Sequence, residues 1–284
     1  MEYNILDEEK NEEKSENSYP ELGIKTRRAK ERKIGSVIKK VYIWRKLFTG
    51  FQDEEGRTIK LNLEEGAKKV GISKKIEHLI DEYYRIHSEL KGDAFACGKN
   101  TFLEAFVKDN KVDMSQYKDI KVNKDEDYIS KKISEYKYFA VCFDRKGTLC
   151  WKENVLKDEL PGYNNSHLIQ VMTKKVTEEY LAFLRSLDIS YIICGEDDID
   201  LVSCLEKLRL KFGIKTLLLE GGSLINGSFM KAGVIDEISL VQCPITGEKD
   251  DKSLFNEGQI ESYTLEKLQP LRNGIYMLYK HKNY

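Results

Sequence analysis

The chain has 284 residues, enough to bury a sizeable core in one large domain or two small ones. Its 47 Lys and Arg against 48 Asp and Glu give a net charge of −1, so no global field favours nucleic acid or a membrane surface. The sequence has no apolar run of about 18 residues, as a spanning helix needs, and its acidic amino terminus lacks the apolar stretch of a secretory signal. We therefore expect a cytoplasmic protein without nucleic-acid or membrane partners.

Residues 1–34 are rich in charged side chains and poor in apolar ones, which predicts a disordered charged tail. A basic cluster within residues 25–33 is interrupted by Glu31, which favours a solvated charge run over a nucleic-acid arm. We expect residues 35–284 to form a single domain. Its first part, residues 35–60, has weak patterns: Val41–Trp44 is compatible with a strand, and Asp53–Arg57 indicates a turn.

The six cysteines form no C-x-x-C pair, and the four histidines show no metal-ligand spacing. Cys97, Cys142, Cys194 and Cys243 lie in or beside apolar runs, where a reduced thiol acts as a small hydrophobe. We therefore expect core thiols and no metal. His87 shares the apolar face of an amphipathic helix over 73–90, which indicates a packed histidine rather than a catalyst.

Strands and helices alternate along the rest of the chain. Strands are predicted over 93–97, 138–143, 167–172, 190–194, 216–219 and 237–241, and helices over 177–187, from Asp200 to Gly213, and from Ser223 to Gly233. A hairpin turn is expected at Asp144–Gly147 before a strand over 148–151, and two further strands over 263–268 and 274–279 form a terminal antiparallel hairpin. This order predicts an α/β fold, with a mostly parallel central sheet and helices on both faces.

The glycine turn after the strand at 216–219 is the candidate ligand-binding element. Gly221 and Gly222 expose backbone N–H groups, and Ser223 is placed to cap a helix whose positive end points at the same spot. This combination binds phosphate. The alternative is that Gly221-Gly222 is only a tight turn between strand and helix.

The surrounding residues resemble a known family. Leu219-Glu220-Gly221-Gly222-Ser223-Leu224-Ile225-Asn226-Gly227, then Gly233–Glu237, then Pro244 with Gly247, are similar to the C-terminal signature of RibD-type reductases of riboflavin biosynthesis. The similarity extends over roughly residues 91–284. It implies a dihydrofolate-reductase-like fold, NADPH as cofactor, hydride transfer to C1′ of a phosphoribosylamino-pyrimidine, and a homodimer paired through the C-terminal sheet region. The deaminase signature, H-x-E with P-C-x-x-C, is absent, so we expect only the reductase half.

The resemblance also implies site residues. Gly98-Lys99-Asn100-Thr101 resembles the G-R-x-T motif that contacts the dinucleotide, although Lys99 replaces Arg; the alternative is a glycine turn capped by Thr101. Ligands of parallel sheets lie beyond the strand carboxyl ends, and Thr173, Gly195 and Gly221 fall there. The cofactor-binding prediction comprises Gly98, Lys99, Thr101, Thr173, Lys174, Lys175, Gly195, Gly221, Gly222 and Ser223, with the three lysines near the 2′-phosphate of NADPH.

Glu220 is the candidate catalytic or substrate-orienting acid, because a carboxylate at a buried strand end would be partly desolvated. Its alternative role is to bind the backbone N–H groups of its own turn. Asp144 and Asn226 are the candidate substrate-binding residues. Two other readings stay open: a reductase of this fold acting on a pterin or another small heterocycle, and a degenerate, non-catalytic member. The second rests on Glu55-Gly56-Arg57, which matches only the end of the family's S-x-D-G motif.

Overall fold

The computed structural model describes residues 40–47, 51–52, 58–59, 73–107, 111–158, 162–242, 253–259, 261–272 and 274–282. The predicted tail over 1–34, the turn over 53–57 and the segment holding Cys243, Pro244 and Gly247 lie outside the described residues.

One large sheet organises the described part of the chain. The described strands are β1 (Lys40–Leu47), β2 (Phe51–Gln52), β3 (Thr58–Ile59), β4 (Ala94–Gly98), β5 (Phe139–Phe143), β6 (His167–Met172), β7 (Ser190–Ile193), β8 (Thr216–Gly221), β9 (Glu237–Gln242), β10 (Tyr263–Leu271) and β11 (Gly274–His281). Strands β2 and β3 form a separate two-stranded ribbon, and the other strands form the large sheet. The order in the large sheet is β10-β11-β9-β1-β8-β4-β5-β6-β7. Strands from β9 to β7 run parallel, and β11 and β10 are antiparallel to their neighbours. The predicted α/β class with a terminal hairpin is confirmed.

Helices cover both faces of the sheet. The α-helices are α1 (Ser73–Glu89), α2 (Lys99–Phe102), α3 (Glu178–Ser186), α4 (Leu201–Phe212) and α5 (Ser223–Ala232). Strand β8 shows why two layers form: Leu218 packs on the face that holds α2 and α3, whereas Leu217 and Leu219 pack on the face that holds α4 and α5. Side chains alternate along a strand, so a strand that is apolar at successive positions needs cover on both sides.

The helix ends follow the expected chemistry. The Asp200 carboxylate accepts hydrogen bonds from the Val202 and Ser203 N–H groups at the start of α4. Gly213 ends that helix at φ +72°, and Gly233 ends α5 at φ +65°, the left-handed region that favours glycine. These residues fix where the chain returns to the sheet.

The weakly patterned amino-terminal segment supplies a central strand. Residues 41–44 lie in β1, which is inserted in parallel between β8 and β9. Tyr42 is the Cα partner of Leu218 on one side and of Glu237 on the other. The strand compatible with Val41–Trp44 is therefore present, in the middle of the sheet.

The predicted hairpin after β5 is wrong. The turn itself forms, with the Gly147 N–H donating to the Asp144 carbonyl over 3.0 Å. Residues 148–151 do not return as a strand, because β4 and β6 already occupy both edges of β5. Trp151 instead packs against the sheet, where its Nε1 donates to Gln170 Oε1 over 3.2 Å. The thiols of Cys97, Cys142 and Cys194 are free and buried, as expected, and the thiol of Cys204 is buried as well.

Candidate functional site

Two glycine turns meet at the carboxyl edge of the sheet. Strands β4 and β8 are parallel neighbours, with Cys97 opposite Gly221. A Cβ placed on Gly98 would lie 4.0 Å from the Gly221 carbonyl oxygen, and one placed on Gly222 would lie 3.8 Å from Thr101 Oγ1. The structure therefore brings the turn at 98–101 and the turn at 221–223 together.

The second turn requires glycine for its backbone conformation. Gly221 has φ +106° and Gly222 has φ +82°, values that L side chains rarely adopt. Gly222 is the N-cap of α5 and offers no side-chain cap, and Ser223 is the first residue of that helix. The prediction that Ser223 caps the helix is therefore wrong by one position, because the chain enters the helix through the glycine.

This edge fits the diphosphate of a dinucleotide. Three glycines leave it without Cβ atoms, and the first turn of α5 lacks a side-chain cap, so its backbone N–H groups suit an anion. Lys99 begins α2 directly after Gly98. Gly98 itself has φ −74°, an ordinary value, and a Cβ there would make only contacts of 3.8 Å or longer. Neither its backbone nor its protein neighbours demand glycine at this position.

Glu220 lies at the same edge and turns into the protein. Its side chain is 7% exposed, and its Oε2 accepts a hydrogen bond from the Tyr163 hydroxyl over 2.7 Å. Its Oε1 is 2.9 Å from Nε2 of His87, a close polar contact without the alignment of a hydrogen bond. The structure thus gives Glu220 two side-chain partners from other elements, in place of the N–H groups of its own turn.

The carboxylate sits in an aromatic pocket that the sequence did not reveal. The His87 ring lies 5.4 Å from the Tyr163 ring, and its Nε2 is 3.4 Å from the Tyr138 hydroxyl. Burial first, and the negative charge of Glu220 second, raise the pKa of Tyr83, Tyr138 and Tyr163. These phenols therefore stay protonated, and that of Tyr163 donates to Glu220. The helical face shared by His87 and Tyr83 was the one available signal.

The predicted residues after β6 and β7 lie at the same edge but have partners within the chain. Thr173 is fully buried, and both its N–H and its hydroxyl donate to the Arg145 carbonyl. Gly195, at φ +97°, forms a tight turn in which a Cβ would meet the Asp198 carbonyl oxygen at 2.2 Å. Lys174 and Lys175 form ion pairs with nearby carboxylates. A phosphate at these lysines would have to compete with those acids.

The side chains of Asp144 and Asn226 also form hydrogen bonds within the chain. Asp144 Oδ2 accepts from the Thr148 N–H, the Thr148 hydroxyl and the Leu149 N–H, so it holds the turn after β5. Asn226 is fully buried, and its Nδ2 donates to the Leu254 carbonyl over 3.1 Å. Its Oδ1 is buried and has no hydrogen-bond partner among the described residues. Asn226 lies beside Gly221, whose Cβ position is 3.5 Å from Nδ2.

Comparison with known proteins identifies this part of the chain. Residues 153–277 match the family described as the RibD C-terminal domain. This stretch belongs to that family. The RibD C-terminal match contains Glu220, the Gly221-Gly222 turn and the residues after β6 and β7, whereas the turn at 98–101 and Asp144 precede it. The resemblance seen in the sequence is therefore confirmed over the matched stretch.

Curated relatives and solved structures agree with this assignment. Over 73 residues, the chain is 34% identical to a protein of Aquifex aeolicus named 2,5-diamino-6-ribosylamino-4(3H)-pyrimidinone 5′-phosphate reductase, covering 26% of this chain and 32% of the relative. A Methanothermobacter thermautotrophicus protein of the same name is 33% identical over 103 residues, or 36% and 44% of the two chains. The matched stretches thus span less than half of these relatives. Acinetobacter baumannii RibD has the same fold, with a TM-score of 0.51, 16% identity, and coverage of 87% of this chain and 59% of that one.

The described residues contain no group of three or more His, Cys, Asp or Glu side chains placed to hold a metal ion. None of the described helices is both long and apolar enough to cross a membrane.

Proposed function

We propose that this chain is an NADPH-dependent reductase of the RibD C-terminal type, acting on a phosphoribosylamino-pyrimidine in riboflavin biosynthesis. One observation carries the proposal: two glycine turns and the uncapped start of α5 meet beside a buried carboxylate at the carboxyl edge of a parallel sheet. The names of the two curated relatives support the substrate class. We place the activity in residues 35–284, as one cytoplasmic domain.

The glycine turns would hold the cofactor. Gly98, Gly221 and Gly222 allow the diphosphate to approach the backbone, and the first N–H groups of α5 donate to it. Lys99 adds a positive charge at the start of α2. Bound NADPH would supply the hydride that reaches C1′ of the substrate sugar. The protein's contribution is orientation, charge and exclusion of water.

We assign to Glu220 the contact with the sugar of the substrate. The Tyr163 hydroxyl fixes one carboxylate oxygen, which leaves Oε1 as the atom that accepts no hydrogen bond from the described residues. A buried acceptor without a donor is costly, so a side-chain rearrangement that opens Oε1 to a substrate hydroxyl would be favoured. His87, in contact with the same oxygen, would hold the carboxylate in place.

The first test is cofactor binding to the full chain. Titration with NADPH should saturate and should give a lower dissociation constant than titration with NADH. Binding of neither dinucleotide would favour the degenerate, non-catalytic reading.

Substrate comparison is the second test. NADPH oxidation should proceed with 2,5-diamino-6-ribosylamino-4(3H)-pyrimidinone 5′-phosphate or with 5-amino-6-(5-phosphoribosylamino)uracil, and not with a dihydropterin. Turnover of the pterin alone would replace our proposal with the alternative of a pterin reductase.

We also propose that the protein is a homodimer. Its surface would lie in the C-terminal sheet region, where both edges of β9 are already paired with β1 and β11 of the same chain. The outermost strand at this end is β10, where Leu265 and Leu268 are 46% and 55% exposed. An edge strand that exposes two leucines is suited to cover by a second copy.

A further inference from the structure

Three cations beyond β5 and β6 are engaged by carboxylates. The pairs are Arg145 with Asp198, Lys174 with Asp125 at 2.8 Å and Glu196 at 2.7 Å, and Lys175 with Asp197 at 2.9 Å. Three positive side chains therefore face four negative ones. Three of these acids, Glu196, Asp197 and Asp198, are consecutive, and we call them the acid loop.

The backbone of the acid loop is held in place at both of its ends. Gly195 begins it in a left-handed conformation, packed against the Asp198 carbonyl oxygen. Asp200 ends it as the N-cap of α4, with its own N–H donating to the Cys194 carbonyl over 3.2 Å. The backbone of the loop is thus held beside β6, so only side-chain rotation can move its charges away from Lys174 and Lys175.

The lysines lie within reach of a cofactor bound at the glycine turns. Strand β6 is three positions from β8 in the sheet, roughly 14 Å at about 4.8 Å per strand. An extended dinucleotide spans such a distance. The phosphate group that distinguishes NADPH from NADH carries up to two negative charges, and it would meet a cluster whose cations are already neutralised.

We propose that the acid loop sets the preference between NADPH and NADH by competing with the 2′-phosphate for Lys174 and Lys175. This inference rests on the proposed function. The lysine side chains are 40% and 47% exposed, and their partners are more so. Exposed ion pairs contribute only about 0–1 kcal/mol each, so a phosphate displaces them, yet the remaining carboxylate charge still opposes it. The loop therefore weakens NADPH binding and leaves NADH binding unchanged.

The test removes the charges without changing side-chain shape. In Glu196→Gln/Asp197→Asn, the dissociation constant for NADPH should fall roughly three- to tenfold, and that for NADH should stay constant. The gain should shrink at high salt, because exposed charges are screened. Glu135→Gln is the control. It removes one exposed carboxylate just before β5, at the amino-terminal end of that strand, and should change neither dissociation constant.

A second variant pair assigns the effect to the lysines. In the background Lys174→Ala/Lys175→Ala, the same acid substitutions should no longer improve NADPH binding, because the competition needs both partners. Equal changes for both dinucleotides, or an unchanged ratio in every variant, would overturn the inference while leaving the proposed reductase intact. Failure of the parent protein to bind either dinucleotide would overturn both.

Discussion

Nε2 of His87 lies 2.9 Å from Oε1 of Glu220, and the two side chains are only 3% and 7% exposed. One residue is in the last turn of α1 and the other is the next-to-last residue of β8. A carboxylate buried to this degree needs a partner, and His87 with Tyr163 provides it. The pair ties α1 to the strand that carries the glycine turn.

Substitution of Glu220 separates its structural role from its chemical one. Glu220→Ala leaves the Tyr163 hydroxyl buried without its acceptor and removes the contact with His87, which should lower the free energy of unfolding by about 2–4 kcal/mol. Glu220→Gln keeps an oxygen for Tyr163 and should cost about 1 kcal/mol or less. Urea denaturation measures both values. If Glu220→Gln folds, binds NADPH and still turns over at the parent rate, the catalytic assignment of Glu220 is wrong.

Gly98→Ala tests the cofactor cradle with little risk to the fold. Gly98 has φ −74°, and an added Cβ would meet its neighbours only at 3.8–4.0 Å, so the melting temperature should hold. The methyl group would lie where the diphosphate approaches the backbone, so NADPH affinity should fall at least tenfold. Titration of the parent and the variant with NADPH tests this expectation. If Gly98→Ala binds NADPH as tightly as the parent does, the turn at 98–101 is not part of the cofactor site.

Gly221→Val provides the contrast to that variant. With φ +106° at this position, the substitution strains the backbone and should lower stability as well as cofactor affinity. Thermal melting with and without NADPH distinguishes the two effects, because a bound ligand raises the melting temperature. A full ligand-induced shift in the variant would show that Gly221 is needed only for the turn.

His167 predicts a dependence of stability on pH. The residue is fully buried, its Nε2 is 2.8 Å from the Ser190 hydroxyl, and burial lowers its pKa from the ordinary 6.5 to about 4. Between these values the unfolded chain binds the proton and the folded one does not, so stability is complete above pH 6.5 and is lost as pH falls towards 4. The loss should be on the order of 2–3 kcal/mol. In His167→Gln, the difference between urea midpoints at pH 4.5 and pH 7 should shrink; an unchanged difference would assign it to other groups.

The elements predicted well are those whose information is local. Apolar runs punctuated by glycine located β8 and its turn, and Asp200 with Gly213 marked both ends of α4. Strand β1 was hard to predict because its neighbours in the sheet come from distant parts of the sequence. The same reason hid His87 as a partner of Glu220 and the acids that face Lys174. Contacts between distant segments leave no periodicity to read.

Asp127 should be a strong stabilising residue outside the site. Its side chain is 3% exposed, and it accepts from the Ile193 N–H at 2.8 Å and pairs with Lys207 at 3.0 Å and Lys211 at 2.7 Å. Asp127→Ala removes all three contacts and should lower the free energy of unfolding by about 2–4 kcal/mol. The exposed Asp119 is a matched control, so Asp119→Ala should change the free energy of unfolding by less than about 0.5 kcal/mol. Similar urea midpoints for the two variants would contradict this role.

The proposed dimer has its own test. Leu268→Glu places a charge on the exposed edge strand β10, and the monomer tolerates it because the side chain is 55% exposed. Sedimentation at micromolar concentration should give a dimer for the parent and a monomer for the variant. A parent that sediments only as a monomer would contradict the proposal.

The central place of β1 affects how the protein is made. On the ribosome this strand emerges well before β8 and β9, the two strands it joins. Among the described strands, β9 connects to β8 only through β1, so the sheet closes late and by contacts of long sequence separation. A fragment cut at the limits of the matched family, residues 153–277, would lack β1, β4 and β5, three of the central strands of the sheet. We expect such a fragment to aggregate.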